Sequence, residues 1–216
     1  MVGVPWWSGY WALDESQPPK IFLLQRSTGR LLKIFSGDDA FVFSHVLNGF
    51  ENADGRLVLD MLAYPDDHFF TDFTTTNRLR DPNFVPYAAV RYTMDLTKGA
   101  LTQSASFLGP DYMDVDFPSV NPSFSGRKYS YLYFLQQPFS KQAALVKYEV
   151  TSPATRKGQF RCATGKGQAC TDFFLSQPLF LPRPGGVAED DGCLILTALN
   201  TTSRKEALRL AVVSER

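Results

Sequence analysis

Short apolar stretches recur along the chain at close intervals, separated by turns that carry glycine, and this punctuation limits the available folds more than any other feature. Residues 20–25 and 31–35 flank Ser27-Thr28-Gly29 and read as a β-hairpin. Residues 41–50 follow, and Asn52-Ala53-Asp54-Gly55 then turns the chain into another apolar strand over 56–63. Strand, glycine turn and strand repeat over 85–96 and 98–103, and 127–135 alternates Tyr129, Tyr131 and Tyr133 with Ser130, Leu132 and Phe134. Further strands are predicted over 143–150, 193–199 and 205–213. Helical periodicity is convincing nowhere, so the expected class is all-β: a sandwich, barrel or propeller. Residues 65–84, rich in turn formers and aromatics, and 151–170, basic and rich in Gly, Ser and Thr, are expected to be loops.

The 216 residues suffice for one domain with a sizeable core. Basic and acidic residues number 22 each, a balance that argues against nucleic acid as a partner. The 18 phenylalanines suit a β-rich core, or a pocket for an elongated apolar ligand. Cys162, Cys170 and Cys193 are odd in number and lack metal-ligand spacing, which favours a reducing, intracellular compartment over a disulfide framework or a zinc site. No apolar run reaches the ~18 residues that a spanning helix needs. The N-terminal stretch lacks the basic start and apolar core of a cleavable leader. Gly165-Lys166-Gly167 is too short for a phosphate loop.

Chemistry is most sharply suggested by His45, one of two histidines in the chain. In an unbroken extended strand Phe41, Phe43, His45 and Leu47 share a face, which places the imidazole among phenylalanines. Imidazole is the commonest metal-ligating side chain, and a core histidine satisfied by one hydrogen bond is the plainer alternative. His68, in Asp66-Asp67-His68, reads as part of a solvated acidic loop rather than a metal site.

Three ordered stretches carry a resemblance. Phe43-Ser44-His45-Val46-Leu47-Asn48-Gly49-Phe50-Glu51 is similar to a Phe-His-x-x-Asn-x-aromatic-Glu signature, with Ser44 standing where phenylalanine usually precedes the histidine. Asp116-Phe117-Pro118-Ser119-Val120-Asn121, followed by Gly126-Arg127-Lys128-Tyr129-Ser130-Tyr131-Leu132-Tyr133, resembles Glu-Phe-Pro-x-Ile-Asn followed by Gly-Arg-x-Tyr-x-Tyr-x-Tyr. Residues 177–194, running from Gln177 through Pro182-Arg183-Pro184-Gly185 and Glu189-Asp190-Asp191-Gly192, resemble Glu-Pro-x-Phe-Val-Pro-Arg-Pro-Gly-x-x-x-Glu-Asp-Asp-Gly-x-Leu. These patterns belong to the carotenoid cleavage oxygenases, the family of the retinal pigment epithelium isomerase and the lignostilbene dioxygenases.

The resemblance implies that residues 1–216 form the C-terminal portion of a seven-bladed β-propeller, about its last three to four blades, with 65–84 joining blades. It implies Fe(II) held by four histidines, and oxidative cleavage by dioxygen of a conjugated double bond in a carotenoid, apocarotenoid or stilbene. His45 would be one iron ligand and Asp116 the carboxylate orienting it. Gln177 stands where a glutamate would orient the last iron histidine. The acidic run 189–191 would be structural, in keeping with turn chemistry. Two of the other histidines are expected upstream of Met1 and one downstream of Arg216, so the chain alone is expected to be inactive. The competing expectation is a metal-free pseudoenzyme or β-propeller interaction module. A cytoplasmic or plastid location is favoured, without a transmembrane segment, and contact with a membrane surface stays open.

Overall fold

The computed structural model describes residues 13–38, 40–64, 88–103, 115–136, 143–150, 155–161, 173–200 and 211–214. It is built from antiparallel strands, with a short 3-10 turn at Pro122–Phe124 the only helical element among the described residues. Strands β1 (Lys20–Leu24) and β2 (Leu31–Ser36) make the expected hairpin. Strands β3 (Val42–Glu51), β4 (Leu57–Tyr64), β5 (Ala88–Met94) and β6 (Leu101–Gln103) form a four-stranded meander in sequence order. A second meander comprises β7 (Val115–Ser119), β8 (Tyr131–Gln136), β9 (Ala144–Glu149) and β10 (Thr155–Arg161). Beyond it, β11 (Phe173–Leu175) pairs with β14 (Ala198–Asn200), while β13 (Gly192–Leu196) lies between β12 (Leu179–Pro182) and β15 (Ala211–Ser214). The segment 65–84 lies outside the described residues.

The meanders pack face to face. Leu47, Phe50, Val58, Leu62 and Ala89 of the first interleave with Val115, Leu132, Phe134, Val146 and Tyr148 of the second. The opposite face of the second, through Tyr133, Leu135 and Leu145, meets Phe180, Leu194 and Leu196 of the third sheet. Met61, Ala63, Val90 and Tyr92 cover the first meander's other face, with Ile21 of the hairpin packed against them. Stacked four-stranded sheets of this kind are the arrangement of propeller blades.

Two local expectations need correction. Residues 151–170 are not simply a loop, because β10 occupies Thr155–Arg161 and pairs along β9. It is the edge strand of its sheet, where charge and glycine are tolerated and even protective, so its composition imitates a loop. A register shift between Arg156 and Gly158 and the ion pair Lys157–Glu149 at 2.6 Å mark that edge. Tyr129 also departs from the predicted alternation. It precedes β8 and is buried in the inter-blade core with Leu132 and Phe134, whereas Tyr131 and Tyr133 sit in the cluster beyond.

That displacement completes a buried polar network. Asp60 of β4 is fully buried, and its register partner on β5, Arg91, donates Nε–H to Oδ1 at 2.7 Å and Nη2–H to Oδ2 at 2.8 Å. Across the interface the Tyr129 hydroxyl donates to the same Oδ2 at 2.8 Å. The guanidinium lies over the Phe50 ring at 5.9 Å, and Phe50 meets Tyr129 edge-on. Burial, and then the Asp60 charge, push the Tyr129 phenol well above its usual value of 10.0.

Truncating one member of such a network leaves a buried charge without its partner, so Asp60→Ala is expected to cost about 3–5 kcal/mol in urea unfolding. Tyr129→Phe removes one hydroxyl and is expected to cost about 1–3 kcal/mol. A phenol with a raised folded-state pKa contributes stability fully below pH 10.0 and loses it as pH rises toward the folded value. The Tyr129→Phe protein is therefore expected to lose less stability than the parent between neutrality and strongly alkaline pH.

Candidate metal-ligand site

The site is made by breaks in strand register. Along β3, Phe43 pairs with Ala63 and His45 with Leu62, so Ser44 is an extra residue; Val46 pairs with Met61 and Asn48 with Asp60, so Leu47 is another. Each bulge reverses the alternation. Phe43 consequently lies on the face opposite His45 and is half exposed, and Phe41 stacks on Tyr92 on that other face. The expected grouping of Phe41, Phe43 and His45 on one face is therefore overturned. His45, Asn48 and Phe50 instead pair with Leu62, Asp60 and Val58, alternate residues of β4, and all three address the second meander. The uneven spacing in His-x-x-Asn-x-Phe follows from the bulge at Leu47.

The second half of the site comes from β7, where Asp116 pairs with Leu135 and Ser119 with Tyr133, leaving Phe117 and Pro118 opposite a single position. Phe117 has φ +55°, a left-handed conformation that a bulky residue before proline ordinarily avoids. Such strain costs on the order of 1–3 kcal/mol and persists where surrounding contacts enforce it. Here Asp116 Oδ1 accepts the Phe117 N–H at 2.8 Å and lies 3.0 Å from His45 Nε2. The Asp116 side chain is 5% exposed and that of His45 is 34%. The Phe117 ring is tilted against the imidazole at 6.1 Å between centroids. Gln177 also reaches this bulge, its Nε2–H donating to the Pro118 carbonyl at 2.7 Å.

Asn48 holds β3 against the neighbouring blade. Its amide donates to the carbonyls of Phe124 and Arg127, both at 3.1 Å, and its carbonyl accepts from Gly126 N–H at 3.0 Å and Gly49 N–H at 2.9 Å. Gly126 adopts φ +78°, a conformation that glycine enters without strain. The acidic run does more than turn the chain. The Glu189 carboxylate accepts the backbone N–H groups of Ser130 and Tyr131 at 2.7–2.8 Å, and its carbonyl accepts from Asn121 Nδ2 at 2.7 Å. Asp190 pairs with the buried Lys147 at 2.9 Å, which holds its carboxyl below the usual value. Asp191 pairs with Arg183 at 2.8 Å within the hairpin.

The structure thus brings together His45, Asp116 and Gln177, the three residues singled out from the sequence. His45 Nε2 lies 3.0 Å from the buried Asp116 carboxylate, so an imidazole and a carboxylate stand side by side between the two meanders. Among the described residues no group of three His, Cys, Asp or Glu side chains converges to hold an ion. Phe117 was missed as a member of the site, since nothing in a Phe-Pro dipeptide announces a positive φ. The network of Asp60, Arg91 and Tyr129 was missed as well, although a carboxylate at the inward parity of an apolar strand is a readable sign of a buried ion pair.

Comparison with known proteins identifies the family and agrees with the fold. Residues 5–213 match the family described as retinal pigment epithelial membrane protein. The chain is 31% identical over 192 residues to apocarotenoid-15,15'-oxygenase of Synechocystis, an alignment covering 84% of this chain and 35% of that protein. It is 23% identical over 227 residues to human beta,beta-carotene 15,15'-dioxygenase, covering 92% and 40% respectively. The crystal structure of cobalt-substituted Synechocystis apocarotenoid oxygenase superposes with a TM-score of 0.66 at 24% identity, over 93% of this chain and 39% of that one. The chain therefore spans 35–40% of the length of these curated relatives, and its fold is all-β, part of a β-propeller.

Asn48→Ala leaves four part-buried backbone groups, the Phe124 and Arg127 carbonyls and the Gly49 and Gly126 N–H groups, short of a partner and is expected to cost about 1–3 kcal/mol, read from the urea midpoint. The Asp190 carboxyl, lowered by Lys147, contributes stability above its unfolded value of 3.8 and loses it as pH falls further. Acid titration of Asp190→Asn is accordingly expected to show a shallower loss of stability below that pH than the parent shows.

Proposed function

Since the chain belongs to the retinal pigment epithelial membrane protein family, we propose that it is the His45-bearing portion of an Fe(II)-dependent dioxygenase that cleaves a conjugated double bond of a carotenoid, apocarotenoid or stilbene. The observation that carries this reading is the His45–Asp116 pair at 3.0 Å, set between two blades. When bound, ferrous iron supplies the activation of dioxygen that an all-carbon double bond otherwise resists. His45 contributes one neutral nitrogen to it. Asp116, 3.0 Å from the ring, would orient the imidazole and raise its basicity as a ligand. Phe117, its ring tilted against the imidazole, suits an apolar polyene. Neither Asp116 nor Glu51 is assigned a proton transfer. A cytoplasmic or plastid location fits this substrate class, and no helix among the described residues is long and apolar enough to cross a membrane.

The second reading, a metal-free interaction module on the same scaffold, is favoured by one observation. Gln177, placed where the family resemblance implies an orienting glutamate, spends its amide on the Pro118 carbonyl.

Iron content separates the two. In a protein that contains this chain and matches its relatives in length, about one iron per chain is expected. His45→Ala is expected to abolish polyene cleavage, and Asp116→Ala to weaken iron binding or activity by about 10–100-fold. Absence of stoichiometric iron from the purified protein, with His45→Ala indistinguishable from the parent, would establish the interaction module instead.

A further inference from the structure

Asn48 is the one asparagine in the chain that a glycine follows. That pairing leaves the side-chain amide open to attack by the next backbone nitrogen, because Gly49 has no Cβ to hold the two apart. The structure sets the groups side by side, with Gly49 N 2.9 Å from Asn48 Oδ1. What separates proximity from reaction is the hold on the amide. Nδ2 donates to the Phe124 and Arg127 carbonyls, both at 3.1 Å, and Oδ1 accepts the Gly126 N–H at 3.0 Å, so three bonds to the loop after the 3-10 turn fix its orientation. Ring closure needs the amide carbon turned to Gly49 N, and those bonds oppose the turn. The neighbouring position secures the loop further: Asn48 pairs across the ladder with Asp60, which accepts the hydroxyl of Tyr129, two residues beyond Arg127. At 6% exposure Asn48 is also shielded from water and hydroxide.

We propose that Asn48-Gly49 is a latent deamidation site, closed while residues 124–129 are docked on β3 and reactive when they lift away. In the open state hydroxide takes the Gly49 amide proton and the nitrogen bonds to Asn48 Cγ. The Cγ–Nδ2 bond then breaks, and the leaving group departs as ammonia after taking a proton from water. Water opens the resulting five-membered imide at either carbonyl, which leaves aspartate or isoaspartate at position 48. Nothing is oxidised or reduced, and water is the only co-reactant. The product cannot dock as before, since a carboxylate has no donor to offer the Phe124 and Arg127 carbonyls. The contact between the first and second meanders thus opens reversibly and, once the amide is gone, is weakened for good. None of this rests on the function proposed above.

The test is peptide mapping by mass spectrometry of the intact chain after incubation at mildly alkaline pH, both native and unfolded in guanidinium chloride. Unfolded, the parent is expected to convert at Asn48 ahead of Asn52, which alanine follows, and Gly49→Ala is expected to remove that lead. Native, the parent is expected to convert Asn48 about fivefold or more slowly than the unfolded chain. Tyr129→Phe takes one hydrogen bond from the docked loop and is expected to convert it about fivefold or more faster than the native parent, because reaction from an open state follows the population of that state. The inference is overturned by an unfolded chain with no lead at Asn48, by a native parent that converts at the unfolded rate, or by Tyr129→Phe converting no faster than the native parent. Should Tyr129→Phe fail to fold, guanidinium chloride below the parent's unfolding midpoint takes its place. Conversion that rises ahead of global unfolding then supports the inference, and conversion that only tracks global unfolding overturns it. Asn48→Asp reproduces the direct product and is expected to lower the folded-to-unfolded ratio by about fivefold or more in urea; a parent-like midpoint overturns the lasting loss of contact.

Discussion

A strand with unbroken two-residue alternation cannot turn His45, Asn48 and Phe50 to one side, because their spacings are three and two. The extra residue at Leu47 resolves the mismatch, and the one at Ser44 sends Phe43 to the far face. A matching break in β7 puts Phe117 and Pro118 opposite one residue of β8 and leaves Asp116 within hydrogen-bond distance of the ring. Both halves of the site are thus built by faults in otherwise regular ladders. Bulges are a natural means for this, since they re-aim a side chain while the neighbouring pairs keep their backbone bonds.

Faulted strands need support from outside their own sheets, and polar links between blades provide it. Asn48 ties β3 to the loop after the 3-10 turn, Glu189 ties the third sheet's hairpin to the start of β8, and Lys147–Asp190 repeats that connection nearby. Deeper in the interface Asp60, Arg91 and Tyr129 join β4, β5 and the segment before β8. Apolar burial draws the blades together without direction. These bonds carry direction, so they fix the lateral and angular relation of one blade to the next, on which the distance between His45 and Asp116 depends.

The strands were legible because five to eight alternating residues between glycine turns admit little else; β8 and β9 fall within one to four residues of their predicted limits. His45, Asp116 and Gln177 were legible through motif order rather than through any local property. Residues that act by position were not. Tyr129 sits in a perfect Tyr-x-Tyr-x-Tyr alternation, yet β8 begins two residues later, and the phenol turns to Asp60 instead. Ser44 and Leu47 look like ordinary members of an apolar run, because a bulge is a relation between two strands and one strand's sequence does not contain it. The edge strand β10 was hidden for the opposite reason, since pairing on one side only relaxes the apolar pattern that would have revealed it.

Charge balance sets Asp116 apart from the other acidic residues at the blade interfaces. Asp60 is neutralised by Arg91, Asp190 by Lys147 and Asp191 by Arg183, and Glu189 is held by backbone N–H groups. Asp116 differs: among the described residues it accepts the Phe117 N–H and lies 3.0 Å from His45 Nε2, with no Lys or Arg paired to it and its side chain only 5% exposed. A buried carboxylate so placed is costly unless positive charge stands nearby. A cation held by the ring would polarise its other N–H toward Asp116 and strengthen that contact. On the function proposed above, a metal ion held by the imidazole would supply the positive charge that the Asp116 carboxylate lacks among its described neighbours.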